Sequence, residues 1–340
     1  MTAPAPAPAA RTALPVPPRS RGELSRTVLR ALTRPVGTPL PGEATTAAAV
    51  ADPYGDDLQL ALYLCYELHY RGFAGVDAEW EWEPGLLALR AAMERRFLTA
   101  LRADTGPPRT AEEALADLLV EPVDGEGTSH FLAKRGELRH FREYAAQRSL
   151  YHLKEADPHL WVIPRLTGRA KAAMVAVEYD EFGAGRAERV HARLFADLMA
   201  DLGLDTAYGR YADSAAAPML TSVNLMSLFG LHRALRGALV GHFAAVETTS
   251  SPGSRRLAHG LERVGAGPAA VRFYAEHVEA DAVHEQIVRR DVVGGLLETE
   301  PSLDQDVAFG ADATEFTEAR LGDHLLTAWR DGRTSLRTPG

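Results

Sequence analysis

His277, Asp281 and His284 lie in the stretch Phe273-Tyr-Ala-Glu-His-Val-Glu-Ala-Asp-Ala-Val-His284. At about 100° per residue, the offsets i, i+4 and i+7 fall within a helical stripe of about 60°. All three side chains can therefore face one metal centre. Imidazoles combined with a carboxylate suit iron, manganese or zinc, and they suit calcium or magnesium poorly because those ions favour all-oxygen shells. Solvated helix faces rich in charge produce the same spacing, so the triplet needs partners before it carries an argument.

One helix cannot close a metal site, so further ligands must come from facing helices, as in bundles that hold metals in their cores. Glu155 falls near the end of the amphipathic run 138–156, Glu181 ends the next run, His191 opens a third, and Glu247 ends a long apolar stretch. Glu188 precedes His191 in a Glu-x-x-His pair, the spacing used by diiron carboxylate bundles. Each of these also has a structural explanation. Glu155 can be a solvated helix-end glutamate, and Glu181 shares its acidic run with Glu178 and Asp180. Glu247, followed by Thr248, Thr249 and Ser250, can accept hydrogen bonds at a helix terminus. Their joint occurrence, one candidate per helix, points to a site.

The elements that must position these residues are helices. From residue 56 onward apolar residues recur at three and four, without sustained period-two alternation. The pattern predicts helices over 56–71, 84–102, 110–120, 137–156, 165–182, 187–202, 254–264 and 314–330, a ligand-bearing helix from Pro268 to near Gly294, and one bent helix or two over 218–246. Residues 1–50 form an Ala/Pro-rich segment read as a disordered tail with a short helix over 23–32, 51–125 a helical extension, and 126–335 the main bundle.

Composition narrows the function. With 340 residues, 46% of them hydrophobic and 24% charged, the chain can bury one large core or two modest ones. A net charge of −9 argues against a nucleic-acid partner. No apolar run approaches the roughly 18 residues of a membrane span, and no secretory signal is visible, so a cytoplasmic location is expected. A single cysteine, Cys65, excludes an intrachain disulfide and a Cys-based metal site, and it reads as a small buried hydrophobe.

The order Glu155, Glu181, His191, Glu247, then His277, Asp281 and His284, together with its spacing, resembles that of the heme-oxygenase-like diiron oxidases and oxygenases. The stretch from Glu178 to His191 further resembles actinobacterial iron-containing redox enzymes. The resemblance covers residues 137–300. It implies an all-α heme-oxygenase-like bundle with an N-terminal helical extension, and two irons held by Glu155, His191, Glu247, His277, Asp281 and His284. Either Glu181 or Glu188 supplies one more carboxylate. It also implies an iron- and dioxygen-dependent oxidase or oxygenase acting on a small amino-acid-like or aliphatic substrate. An external electron donor and a homodimer are both compatible with it.

Fold and ligands do not by themselves establish turnover, so a non-catalytic iron-binding or assembly protein on the same scaffold is the competing reading. A metal-free bundle of the thiamin-salvage type would need a cysteine nucleophile, and Cys65 lies outside the resembling region. For substrate binding, His232 and Arg233 stand out within an otherwise apolar run, where a buried charge would need a partner. Leu225, Met226, Phe229 and Phe273 are expected to line an apolar cavity. Tyr179, Asp180, Tyr274 and Glu285 are candidates to orient the metal-binding histidines.

Overall fold

A computed structural model describes residues 13–120 and 125–338, without the side chains of 279–282. Among the described residues every regular element is helical: α1 (Glu23–Leu32), α2 (Glu43–Val50), α3 (Asp56–Glu67), α4 (Pro84–Asp104), α5 (Ala111–Leu118), α6 (Thr128–Arg135), α7 (Leu138–His152), α8 (Asp157–Leu160), α9 (Gly168–Glu181), α10 (His191–Asp201), α11 (Ala217–Leu231), α12 (Arg236–Arg263), α13 (Pro268–Ile287), α14 (Gly294–Thr299) and α15 (Asp304–Arg330). None of these is long and apolar enough to cross a membrane.

Helix α12 is the axis of the bundle and packs against α6, α11, α13 and α15. Its crossing with α15 depends on two glycines. A Cβ on Gly241 would stand 1.8 Å from the Val307 carbonyl oxygen, and one on Gly310 would stand 1.9 Å from that of Ala238. Backbone thus meets backbone at this crossing, which no larger residue allows. Gly310 weakens helix propensity locally, which explains why the sequence pattern starts this helix at 314 whereas packing extends it back to Asp304.

The apolar run 218–246 proves to be two helices. His232 adopts extended backbone angles (φ −101°, ψ 112°) and sets its Nε2 3.0 Å from Glu94 Oε2. The break expected at Pro252 does not occur, and α12 continues through it to Arg263. An interior proline costs a helix about 3 kcal/mol, here outweighed by packing of α12 along α13 and α6.

Of the segment read as a tail, residues 13–50 are described and hold α1 and α2, while residues 1–12 lie outside the described residues. Pro15 and Pro18 are buried, and Ala74 donates a backbone hydrogen bond to the Pro15 carbonyl at 2.9 Å. Asp57 of α3 accepts from the Leu24 and Ser25 amides at 2.8 Å each, capping α1 from outside. Composition cannot reveal a cap supplied by a distant helix. Beyond that segment, α3 packs on α11 and α5 on α15, and one buried apolar cluster runs from Leu24 to Trp329.

Candidate metal centre

Six of the sequence-selected residues converge in the middle of the bundle. Glu155 sits on the turn after α7, Glu181 ends α9, His191 starts α10, Glu247 lies within α12, and His277 and His284 lie on α13. All six are buried. Ligand atoms of Glu155, Glu181, His191 and His277 lie within 4.8 Å of one another, as do those of Glu181, Glu247 and His284. Glu181 belongs to both groups. Its Oε2 is 2.7 Å from His191 Nδ1, and its Oε1 is 3.7 Å from His284 Nδ1. Glu247 Oε2 lies 3.4 Å from the same His284 nitrogen, and Glu155 Oε1 lies 3.8 Å from His277 Nε2. After His284, the helix widens into a π-helical turn, Val288–Val293, a distortion common beside functional sites.

Three carboxylates cannot be brought together in a buried pocket without positive charge. The histidines carry it here. Burial pulls the His284 imidazole down, but Glu247, Glu181 and Asp180 carry it up to about 9. For His191 too, burial lowers the pKa and the Glu181 carboxylate raises it more. Burial opposes ionisation of Glu155, yet His152 and His277 hold its carboxyl well below the usual range. Bound cations would replace those protons, and a carboxylate-imidazole donor set fits iron, manganese or zinc.

A sequence profile for iron-containing redox enzymes, a heme-oxygenase-like family, matches residues 142–318, a little over half of the chain. The chain belongs to that family. Its matched region contains every residue of the two converging groups. The chain is also similar to a nitrosourea synthase from Streptomyces achromogenes subsp. streptozoticus, at 23% identity over 217 residues, 62% of this chain and 46% of that protein. It thus spans about half the length of that curated relative. Family membership places the chain among iron-containing oxidoreductases with an all-α, heme-oxygenase-like bundle.

Of the other residues singled out from sequence, Asp281 lies on α13 between His277 and His284, with its side chain outside the described residues. Glu188 is exposed on the turn before α10 and belongs to neither group. The i, i+3 pairing with His191 fails because α10 begins only at His191, so the two do not share a helix. His232 pairs with Glu94, Arg233 is exposed, and neither lines the cavity beside the metal centre, because the helix break at 232 turns them outward.

That cavity, of about 310 Å³, is bounded by Glu155, Glu181, Glu247 and His277 at one end. Met226 and Phe273 line it as expected, whereas Leu225 and Phe229 do not, Phe229 instead packing edge-on against Phe309. Its wall is not wholly apolar. Arg148, held by Glu318 and set over the Tyr144 ring, lines it, as do His159 and His242.

Among candidate orienting groups, Asp180 Oδ2 lies 3.3 Å from His284 Nε2. Tyr179 is exposed and donates to the Ala184 carbonyl, Glu285 pairs with Arg289, and Tyr274 lines the cavity. Sequence reasoning missed His152, whose Nδ1 lies 2.9 Å from Glu155 Oε2. A His-x-x-Glu spacing ending at Glu155 was its only signal.

Proposed function

We propose that the protein is an iron- and dioxygen-dependent oxidase or oxygenase that acts on a small organic substrate at a non-heme diiron centre. The observation that carries this reading is the shared carboxylate. Glu181 reaches both buried groups, so one carboxylate could serve two neighbouring ion sites. One ion would be held by Glu155, His191 and His277, the other by Glu247 and His284, with Glu181 common to both. Iron held there would supply the redox chemistry for dioxygen reduction.

The chain's own residues do the rest. His152 holds Glu155 in its ionised form through a 2.9 Å contact, and Asp180 orients His284. Phe273 and Met226 keep water from the reacting end of the cavity. A volume of about 310 Å³ is at the small end of ligand pockets. With Arg148 and Glu318 in its wall, it suits a compact polar molecule such as an amino acid better than a long aliphatic chain.

Oxygen uptake after anaerobic loading with ferrous iron tests the proposal. Glu247→Ala and His284→Ala are expected to abolish iron-dependent uptake while helical content persists, and amino acids to accelerate uptake by the wild type more than fatty acids do. Iron binding without oxygen uptake would favour a non-catalytic iron-binding protein.

A further inference from the structure

Five of the six converging residues sit within a helix or at its end, but Glu155 sits on a turn. Its backbone amide reaches the His152 carbonyl only at 3.5 Å. Something outside the helix ladder must therefore fix the turn that carries this carboxylate. Lys154, the preceding residue, pairs its ammonium with Glu67 at the end of α3, and both side chains have 0% exposure. Two charges so completely buried persist only if their other polar atoms are also satisfied. Tyr208 donates its hydroxyl to the second Glu67 oxygen, and the Lys154 ammonium lies 4.0 Å from the centre of the Tyr70 ring. Arg71 donates to the Leu153 carbonyl at 3.1 Å and lies over the Tyr208 ring at 4.1 Å. Residues 153 and 154, which lead into Glu155, are thus held by Arg71 and Glu67 from the N-terminal helical portion, with Tyr208 completing the Glu67 contacts.

We infer that the buried Lys154–Glu67 pair is a positioning device that fixes the turn bearing Glu155 and so sets the iron affinity of the Glu155, Glu181, His191 and His277 group. The inference rests on the metal reading of that group. It makes the N-terminal helices part of the scaffold of the metal centre. Removing one partner would strand a buried charge, whereas replacing both with uncharged side chains of similar length preserves packing.

The test uses the full chain with Glu67→Gln and Lys154→Met combined. Amide exchange of the metal-free protein is expected to rise at least about tenfold over 153–160 while α12 and α13 keep their protection. Anaerobic titration is expected to show ferrous affinity weakened by about ten- to a hundredfold. Leu58→Ala, a cavity on the same α3 helix, is expected to lower the melting temperature and leave the titration at wild type, which separates positioning from stability. Arg71→Met, which releases the Leu153 carbonyl and uncovers the Tyr208 ring but leaves the Lys154–Glu67 pair in place, is expected to act in the same direction with a smaller effect, and it replaces the double variant if that one does not fold. Unchanged exchange over 153–160, or wild-type iron affinity in the variant, overturns the inference. A wild-type protein that takes up no ferrous iron overturns instead the metal reading on which it rests.

Discussion

Glu181 sets its Oε2 2.7 Å from Nδ1 of His191 across a turn in which Gly183, Ala184 and Gly185 all take positive φ. That left-handed turn reverses the chain so that the end of α9 faces the start of α10. A Cβ at Gly183 would lie 2.7 Å from the Arg189 carbonyl carbon, so the turn admits little else at that position. The turn brings Glu181 into the centre and leaves Glu188 on the surface.

Glu181→Ala is therefore expected to weaken binding of both ferrous ions by at least about tenfold, since one carboxylate serves both groups. Glu188→Ala is expected to match the wild type. Anaerobic iron titrations of the two variants check this, and equal losses would contradict the assignment.

Metal binding should release protons. Below pH 9 the His284 imidazole is mostly protonated in the metal-free protein, because its pKa stands at about 9 against an ordinary 6.5. Ferrous affinity is expected to climb as pH rises toward 9, by up to about tenfold per unit for one displaced proton. The sign reverses for the metal-free protein. A raised histidine pKa contributes stability that is fully present below 6.5 and lost as pH rises through about 9. Calorimetric titration in two buffers of different ionisation enthalpy measures the released proton, and melting curves of the metal-free protein measure the stability loss.

Gly241→Ala would push a methyl group against the Val307 carbonyl at the α12–α15 crossing. A loss of about 1 to 3 kcal/mol in unfolding free energy is expected, together with reduced iron retention because α12 carries Glu247. Urea unfolding at fixed iron content is the check.

The convergence of the candidate residues was legible because five of them lie in or at the ends of helices, where spacing in sequence is direction in space. The turns hid the rest. The choice between Glu181 and Glu188 depends on the three positive-φ residues between α9 and α10, and two of them are glycines whose conformation no periodicity reports. The structure of residues 13–50 was hidden for another reason. Its support comes from Asp57, from the Ala74 amide and from burial of Pro15 and Pro18, and composition alone resembles that of a disordered tail. The direction of His232 was hidden because the run 218–246 reads equally as one bent helix or two, and only the break at 232 turns its side chain toward Glu94.

Met226→Trp is expected to fill the cavity beside the metal centre and lower substrate-dependent oxygen uptake at least about tenfold, with iron content unchanged. His232→Ala and Arg233→Ala are expected to leave that uptake at wild type. Steady-state oxygen consumption by the iron-loaded variants decides both.

The most direct test of the central claim is an anomalous difference map collected at the iron edge from crystals loaded anaerobically with ferrous iron. The account predicts two peaks about 3.5 to 4 Å apart, one among Glu155, His191 and His277, the other beside Glu247 and His284, with Glu181 between them. Iron bound elsewhere in the chain, with none at these residues, would contradict it.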